Sequence, residues 1–433
     1  MQILLFIVFT LVLILCGLPI AFALGGVGIL SIFLWLGPNA LQIATLVGWN
    51  SVTDFTIIAV PLFILMGFIL SETGLSSIIY QGLYPILSKI MPAGGLLHSN
   101  IAFGAVFAAC SGSSIASAAT IGTMALPQME KRGYETGISL GSVAAGGTLG
   151  ILIPPSLILI VYGAMVNASI GKLFLAGILP GIILALCYII YIVIRLKINP
   201  AMGPDDKTIN LSWGYCFKTL LNLIPIIILI AAVLGSIYGG WATPSEASAI
   251  GCVLSLIIAI CYRKVNWKVI KTCFTKAVET SCMILLIYMG AKIMTIALAN
   301  LGIPSQIARA IAGLGVPNFV IMACIIVLYL ILGMLMDGMA MVVMTAPIIY
   351  PIITGMGYDV IWFGIIITLL VECSLLTPPV GMNLFILRGL RPNIPFSTIA
   401  RGSFPFFLII LGNIIFYIIF PKIILWIPMM SSV

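Results

Sequence analysis

The stretch ACSGSSIASAAT at residues 109–120 sets small and hydroxylated residues between two apolar segments, in a chain whose segments are nearly all too apolar to face water. Polar, glycine-containing backbone at membrane depth is tolerated only where it is buried in protein or lines a cavity, since an unpaired N–H or C=O in hydrocarbon costs several kcal/mol. The stretch therefore reads as a site. It is also written twice. At a constant offset of 224 residues (113 to 337), Ser113 answers Asp337, Ala116 answers Ala340 and Pro127 answers Pro351. Gly133 and Tyr134 likewise answer Gly357 and Tyr358, and Pro154-Pro155 answers Pro378-Pro379. Upstream, Pro19 and Gly26 answer Pro244 and Gly251 with a slip of one residue. The chain thus divides into two copies, 1–209 and 210–433, joined by a polar linker that includes Asp205, Asp206 and Lys207. An interrupted apolar segment at matching places of an internal duplication points to a secondary transporter and to its binding site.

With 62% hydrophobic and 7% charged residues among 433, and a mean hydropathy of +1.29, the chain is a polytopic α-helical membrane protein. The apolar runs are long and continuous rather than alternating, which excludes a transmembrane barrel. The net charge of +8 comes from basic residues in short loops, where they encode topology rather than contact with nucleic acid. Ten scattered cysteines without a C-x-x-C, and the single histidine His98, give no metal or disulfide framework. His98 is expected at the membrane interface. The first apolar segment, residues 3–18, lacks a basic leader and is expected to be a retained helix. No nucleotide-binding G-x-x-x-x-G-K-[ST] occurs and no hydrolytic triad can be assembled, so an enzyme is not expected and transport would run on ion gradients.

The expected fold is all-α, with two re-entrant hairpins and two broken transmembrane helices. In the first copy, two short helices meet at Gly17, Leu18 and Pro19; a crossing over 54–70 leads to an interfacial amphipathic arm over 71–92. A hairpin over 94–130 has limbs too short for a ~30 Å core. A crossing over 136–165 is broken at Gly146-Gly147-Thr148 and Pro154-Pro155-Ser156, and a helix over 173–194 closes the copy. In the second, helices over 220–238 and 245–262 flank the turn at 240–244. A basic arm over 263–276 precedes a crossing to residue 299, and a further arm lies around Gln306 and Arg309. The second hairpin spans 317–356, the second broken crossing 361–385 and the last helix 404–427. External loops are expected at 38–50 and 300–317. Lys131 and Arg132 lack basic counterparts in the second copy, whereas Arg388, Arg391 and Arg401 answer a loop holding only Lys172. By the positive-inside rule equivalent loops lie on opposite sides, so the repeat is inverted, with both termini outside.

Half-helices that end in mid-membrane offer N–H groups to an anion and unwound carbonyls and hydroxyls to a small cation. Ser111, Ser113, Ser114, Thr148 and Ser156 supply such groups in one copy, and Asp337, Thr377 and Asn383 in the other. Each hydroxyl could instead bond back to its own helix, and Asp337 could simply cap the second limb of its hairpin. An intramembrane carboxylate is a functional-site hypothesis by default, which also brings in Glu372. Glu246, three residues after Thr243, has the spacing of a capping box. Lys292 is open between a site and a snorkelling side chain.

Taken together, ACSGSSIASAAT with Pro127 and Gly133-Tyr134, GTLGILIPPS at 147–156, GWATPSEA at 240–247, MDGMA at 336–340, LLTPPVGMN at 375–383 and AVPLFILMG at 59–67 resemble the large membrane subunit of tripartite ATP-independent periplasmic (TRAP) transporters, over nearly the whole chain. The resemblance implies an elevator-type, sodium-driven importer of a small organic acid in a bacterial inner membrane. It further implies a periplasmic solute-binding protein and a separate small four-helix membrane subunit as partners. Carried onto this chain, it puts sodium (Na+) at Ser111, Gly112, Ser114, Thr148 and Ser156, and at Asp337, Gly338, Thr377, Gly381 and Asn383. The substrate would meet Ser111, Ser113, Ser114, Asp337 and Asn300. The sialic-acid branch carries an arginine shortly before its Ile-Pro where this chain has Asn300 before Ile303-Pro304, which argues against sialic acid. The alternatives are a stand-alone anion carrier and a non-transporting membrane scaffold.

Overall fold

The computed structural model describes residues 9–10, 12–14, 16–204, 212–313 and 315–430. Residues 3–8 of the first segment, the linker residues Asp205 to Lys207 and the 209/210 boundary lie outside the described residues. All described regular structure is helical. In the first half the helices are α1 (Ile20–Ser31), α2 (Leu41–Thr53), α3 (Ala59–Glu72), α4 (Leu75–Ile90), α5 (Gly95–Ser111), α6 (Ser114–Lys131), α7 (Thr136–Thr148), α8 (Leu157–Val166) and α9 (Ile170–Ile198). In the second they are α10 (Trp213–Leu221), α11 (Ile224–Tyr238), α12 (Pro244–Cys261), α13 (Trp267–Asn300), α14 (Ile303–Gly313), α15 (Asn318–Gly333), α16 (Gly338–Gly355), α17 (Val360–Leu376), α18 (Met382–Leu390), α19 (Phe396–Ile419) and α20 (Lys422–Met430). Among the described residues five helices are long and apolar enough to cross a membrane, or seven if each bent pair is one span.

Both hairpins are present, and side-chain bonds fix them as antiparallel. In α5–α6, Ser111 bonds Ser117 at the tip and the Asn100 amide reaches Met129 near the base. In α15–α16, Tyr329 bonds Thr345 midway and Asn318 donates to the Met356 carbonyl at the base. Equivalent residues cap equivalent helices. Ser113 accepts from the N–H of Ala116 at the start of α6, and Asp337 from Met339 and Ala340 at the start of α16. Glu135 accepts from Gly137 and Ile138 at the start of α7, and Asp359 from Ile361 and Trp362 at the start of α17. Each cap satisfies N–H groups that the helix itself leaves unpaired. α7–α8 and α17–α18 are broken helices, and each break holds a cis Pro-Pro peptide, Pro154-Pro155 and Pro378-Pro379.

Two groups of helices pack internally. One joins α1, α3, α11, α12 and α13; the other joins the hairpins, the broken helices, α9 and α19. Glycine lets backbones touch in both. A Cβ on Gly290 of α13 would stand 2.5 Å from the Ala21 carbonyl oxygen of α1, and one on Gly104 of α5 would stand 2.1 Å from that of Gly146 in α7.

Four readings from sequence are corrected. Residues 263–276 do not form a separate arm: from Trp267 they are the start of α13, one continuous helix of 34 residues. Lys268, Lys271 and Lys276 lie at one end of a rod about 51 Å long, longer than the ~30 Å hydrocarbon core, so a change in polarity did not mean a change in conformation. The expected loop over 38–50 is mostly α2, which packs on α13. The last helix is two, α19 and α20, separated at Phe420 and Pro421, the proline biasing Phe420 before it away from helical backbone. His98 is not interfacial but buried, 1% exposed, in the first turn of α5. The arm over 71–92 is α4, bent 69° from α3, and its buried residues Leu75, Ile79 and Gly82 recur at helical spacing.

Candidate functional site

The two hairpin tips meet at one cleft of about 190 Å³. Ser111, Gly112, Ser113 and Ser114 line it from the first tip, and Asp337 and Gly338 from the second. Ile64, Gly67, Phe68 and Ser71 of α3 with Thr280 and Met283 of α13 form the opposite wall, so the cleft lies between the two helix groups. α3 approaches because it carries glycine where it passes the tip: a Cβ on Gly67 would stand 3.0 Å from the Ser111 carbonyl oxygen. Asp337 is the one charged side chain among the described lining residues. Its cap uses Oδ1 alone, at 2.8 Å from the Met339 nitrogen and 3.4 Å from that of Ala340, which leaves Oδ2 outside the cap.

Behind the first tip lies the first break. A Cβ on Gly112 would stand 3.1 Å from the Pro155 carbonyl oxygen, and one on Gly150 would stand 3.0 Å from that of Ser113. Thr148 is fully buried there, donating to the Ala145 carbonyl at 2.9 Å with the Tyr188 hydroxyl 3.5 Å away. Ser156 donates to the Ile151 carbonyl and caps α8. Behind the second tip, Gly338 packs against Val371 of α17 and Gly333 against Ser374. Thr377 donates to the Cys373 carbonyl, and Gly381, with φ +41°, turns the chain into α18. These breaks offer carbonyl and hydroxyl oxygens close together, ligands that suit a hard cation.

One contact was not foreseen. Asn383, expected to serve the second tip, reaches the first: its amide donates to Ser114 Oγ at 2.8 Å and to the Ala144 carbonyl at 3.1 Å. Both residues are buried, so the pair ties the α6 tip to the start of α18 across the two halves. Nothing in the sequence paired position 114 with position 383. Asn383→Ala leaves Ser114 without its partner, and is expected to cost about 1–3 kcal/mol. Thermal melting of Ser114→Ala, Asn383→Ala and the double variant checks this: the two losses should be strongly non-additive, and simple additivity would mean the pair does not couple.

Asn300 is not brought to the cleft. It is exposed at the end of α13, donating to the Ile296 carbonyl at 2.9 Å. Lys292 neither lines the cleft nor snorkels: its Nζ donates to the Ala164 carbonyl of α8 at 2.8 Å and stands 5.3 Å from the centre of the Tyr288 ring. Glu246 and Thr243 form the capping box of α12. Ser71, one turn beyond the glycine-bearing 59–67 segment, and Thr280 of α13 were missed; neither gave a chemical signal of its own.

The sequence pattern of the family described as Tripartite ATP-independent periplasmic transporter, DctM component, matches residues 7–423. This chain belongs to that family. It is therefore a TRAP-type large permease, a multi-pass membrane transport protein and not an enzyme. It is 32% identical over 410 residues to the C4-dicarboxylate TRAP transporter large permease protein DctM of Pseudomonas aeruginosa, covering 94% of this chain and 93% of that one. It is 33% identical to the isethionate TRAP transporter permease protein DctMQ of Oleidesulfovibrio alaskensis, where 94% of this chain spans 63% of the longer relative. Among solved structures, the Alcanivorax borkumensis YdaH transporter shares the fold, with a TM-score of 0.65 at 15% identity over 97% of this chain and 99% of that one.

Proposed function

We propose that this TRAP permease imports a small organic acid across a bacterial inner membrane with sodium as the coupling ion. A periplasmic binding protein would deliver the acid, and a separate small subunit would complete the membrane part. The observation that carries the reading is the cleft itself: two mid-chain hairpin tips facing one another, with three serines and a single carboxylate, between two separately packed groups of helices. The C4-dicarboxylate and isethionate relatives both act on small organic anions, which fits a cleft of this size and polarity. The matching caps at Ser113 and Asp337, and at Glu135 and Asp359, support an internal repeat, and the asymmetry of basic loops supports its inversion.

Electrostatics gives the coupling a physical form. An anionic substrate group near Asp337 faces a like charge, a repulsion of about 4 kcal/mol at 4 Å and an effective dielectric of 20. Sodium held by Asp337 and the neighbouring carbonyls reverses the sign, so the anion binds well only after the cation. The first turn of α6, with the positive end of its helix dipole, borders the same cleft and favours the acid group. Movement of the hairpin group against α3 and α13 would carry the loaded cleft across the membrane, an elevator motion.

The test is uptake in proteoliposomes holding this chain and its small subunit, with the binding protein outside, over a panel of organic acids with and without an inward sodium gradient. Uptake is expected to need both sodium and the binding protein. Uptake indifferent to the binding protein would replace this reading with a stand-alone carrier, and none under any condition would favour a scaffold.

A further inference from the structure

Neither the cleft nor the tips use Glu372. It sits in α17, five residues before the Thr377 break, with 0% of its surface exposed, and neither carboxyl oxygen has a hydrogen-bond partner among the described residues. The helices packed against α17 surround it with neutral groups. Tyr188 of α9 and Tyr417 of α19 face it, together with the Cys373 thiol beside it on α17. Tyr162 of α8 and Tyr329 of α15 interact with each other rather than with it. Arg195 of α9, Arg401 of α19, Arg388 of α18 and Lys422 of α20 lie on helices that touch α17, and none of them interacts with Glu372. The Tyr417 hydroxyl is itself buried without a partner among the described residues, and the Tyr188 hydroxyl stands 3.5 Å from Thr148 at the first break. Aromatic rings close the place to water: Phe406 packs edge-on against Tyr188, with ring centres 5.3 Å apart.

An unpaired carboxylate in such surroundings is prohibitively costly, and a group in this position neutralises instead. No lysine or arginine among the described residues interacts with it, so the neutralising species is a proton. We propose that Glu372 is a proton site within the hairpin-bearing group of helices, a carboxylic acid held between Tyr188 and Tyr417 and linked through Tyr188 and Thr148 to the first break. Loss of this proton places an anion where α9, α17 and α19 meet, loosening the packing that holds both breaks. Transport therefore falls at alkaline pH. The proposal concerns a group outside the cleft and is independent of which acid is carried.

Infrared spectroscopy of the purified transporter reads the proton directly, because only a protonated carboxyl shows the acid C=O stretch. Wild type minus Glu372→Gln, in H2O and D2O at neutral pH, is expected to show one such band that shifts on deuteration. Glu372→Gln, neutral and nearly isosteric, should keep uptake at neutral pH within about threefold of wild type and lose the alkaline decline. Should that variant not fold, Glu372→Met, which carries no charge, serves for the same difference spectrum. The proposal is overturned if no acid band disappears with the substitution, the carboxyl then being ionised beside a bound cation, or if the alkaline decline is the same in wild type and variant.

Discussion

Asp337→Asn is expected to abolish sodium-driven uptake while leaving the chain folded. Asp337 is the one charged side chain lining the cleft among the described residues, and its Oδ1 caps α16. Asparagine caps a helix about as well as aspartate. The substitution therefore keeps the local structure and removes only the charge, separating a helix cap from an ion ligand. Removing one partner of a buried ion pair costs about 3–5 kcal/mol, which is roughly two to four decades of sodium affinity. The check is the sodium dependence of uptake together with a melting curve in detergent. A variant that melts like wild type and no longer responds to sodium supports the ion role; one that transports normally reduces Asp337 to a cap. Ser113 is the counterpart cap in the first copy and carries no charge, so Ser113→Ala should have a much smaller effect on sodium dependence.

Gly402→Ala should lose most of the folded protein. α19 crosses α7 so closely that a Cβ on Gly402 would stand 2.0 Å from the Gly137 carbonyl oxygen, while one on Gly141 would stand 2.2 Å from that of Gly402. The obstacle on each side is backbone, which cannot turn aside as a side chain can. Overpacking a core commonly costs about 1–3 kcal/mol and occasionally more. Here the crossing has no other way to relax than to separate α7 from α19, which would disturb the first broken helix and the site behind the Ser111–Ser114 tip. Gly412→Ala on the same helix is the control. Nothing lies within 4 Å of its added methyl, and alanine in a helix interior is favoured by about 1 kcal/mol. Monodispersity and melting temperature of the two variants decide the matter, since equal behaviour would rule out the close crossing.

The hairpins and breaks were readable from the chain because lipid leaves few choices. A hydroxylated or glycine-bearing interruption in an apolar run must be sheltered, and its recurrence at 113 and 337, and at 154 and 378, marked both copies. Helix caps were readable for the same reason: Thr243 and Glu246 carry their partner in the local spacing. Boundaries failed where polarity and conformation part company, as in α13, whose basic end is helical like the rest, and in α2, whose 13 residues read as a loop.

Local chemistry thus dictated membrane class, hairpins and the residue types offered at each interruption, since these follow from hydrogen bonds and burial within a few residues of sequence. Tertiary packing alone brought Asn383 to Ser114, set α3 and α13 as the far wall of the cleft, left Asn300 outside it and enclosed Glu372 among tyrosines. Those outcomes depend on how helices distant in the chain cross. The crossings are in turn set by where glycine permits two backbones to touch, a pairwise condition that no single stretch of sequence contains.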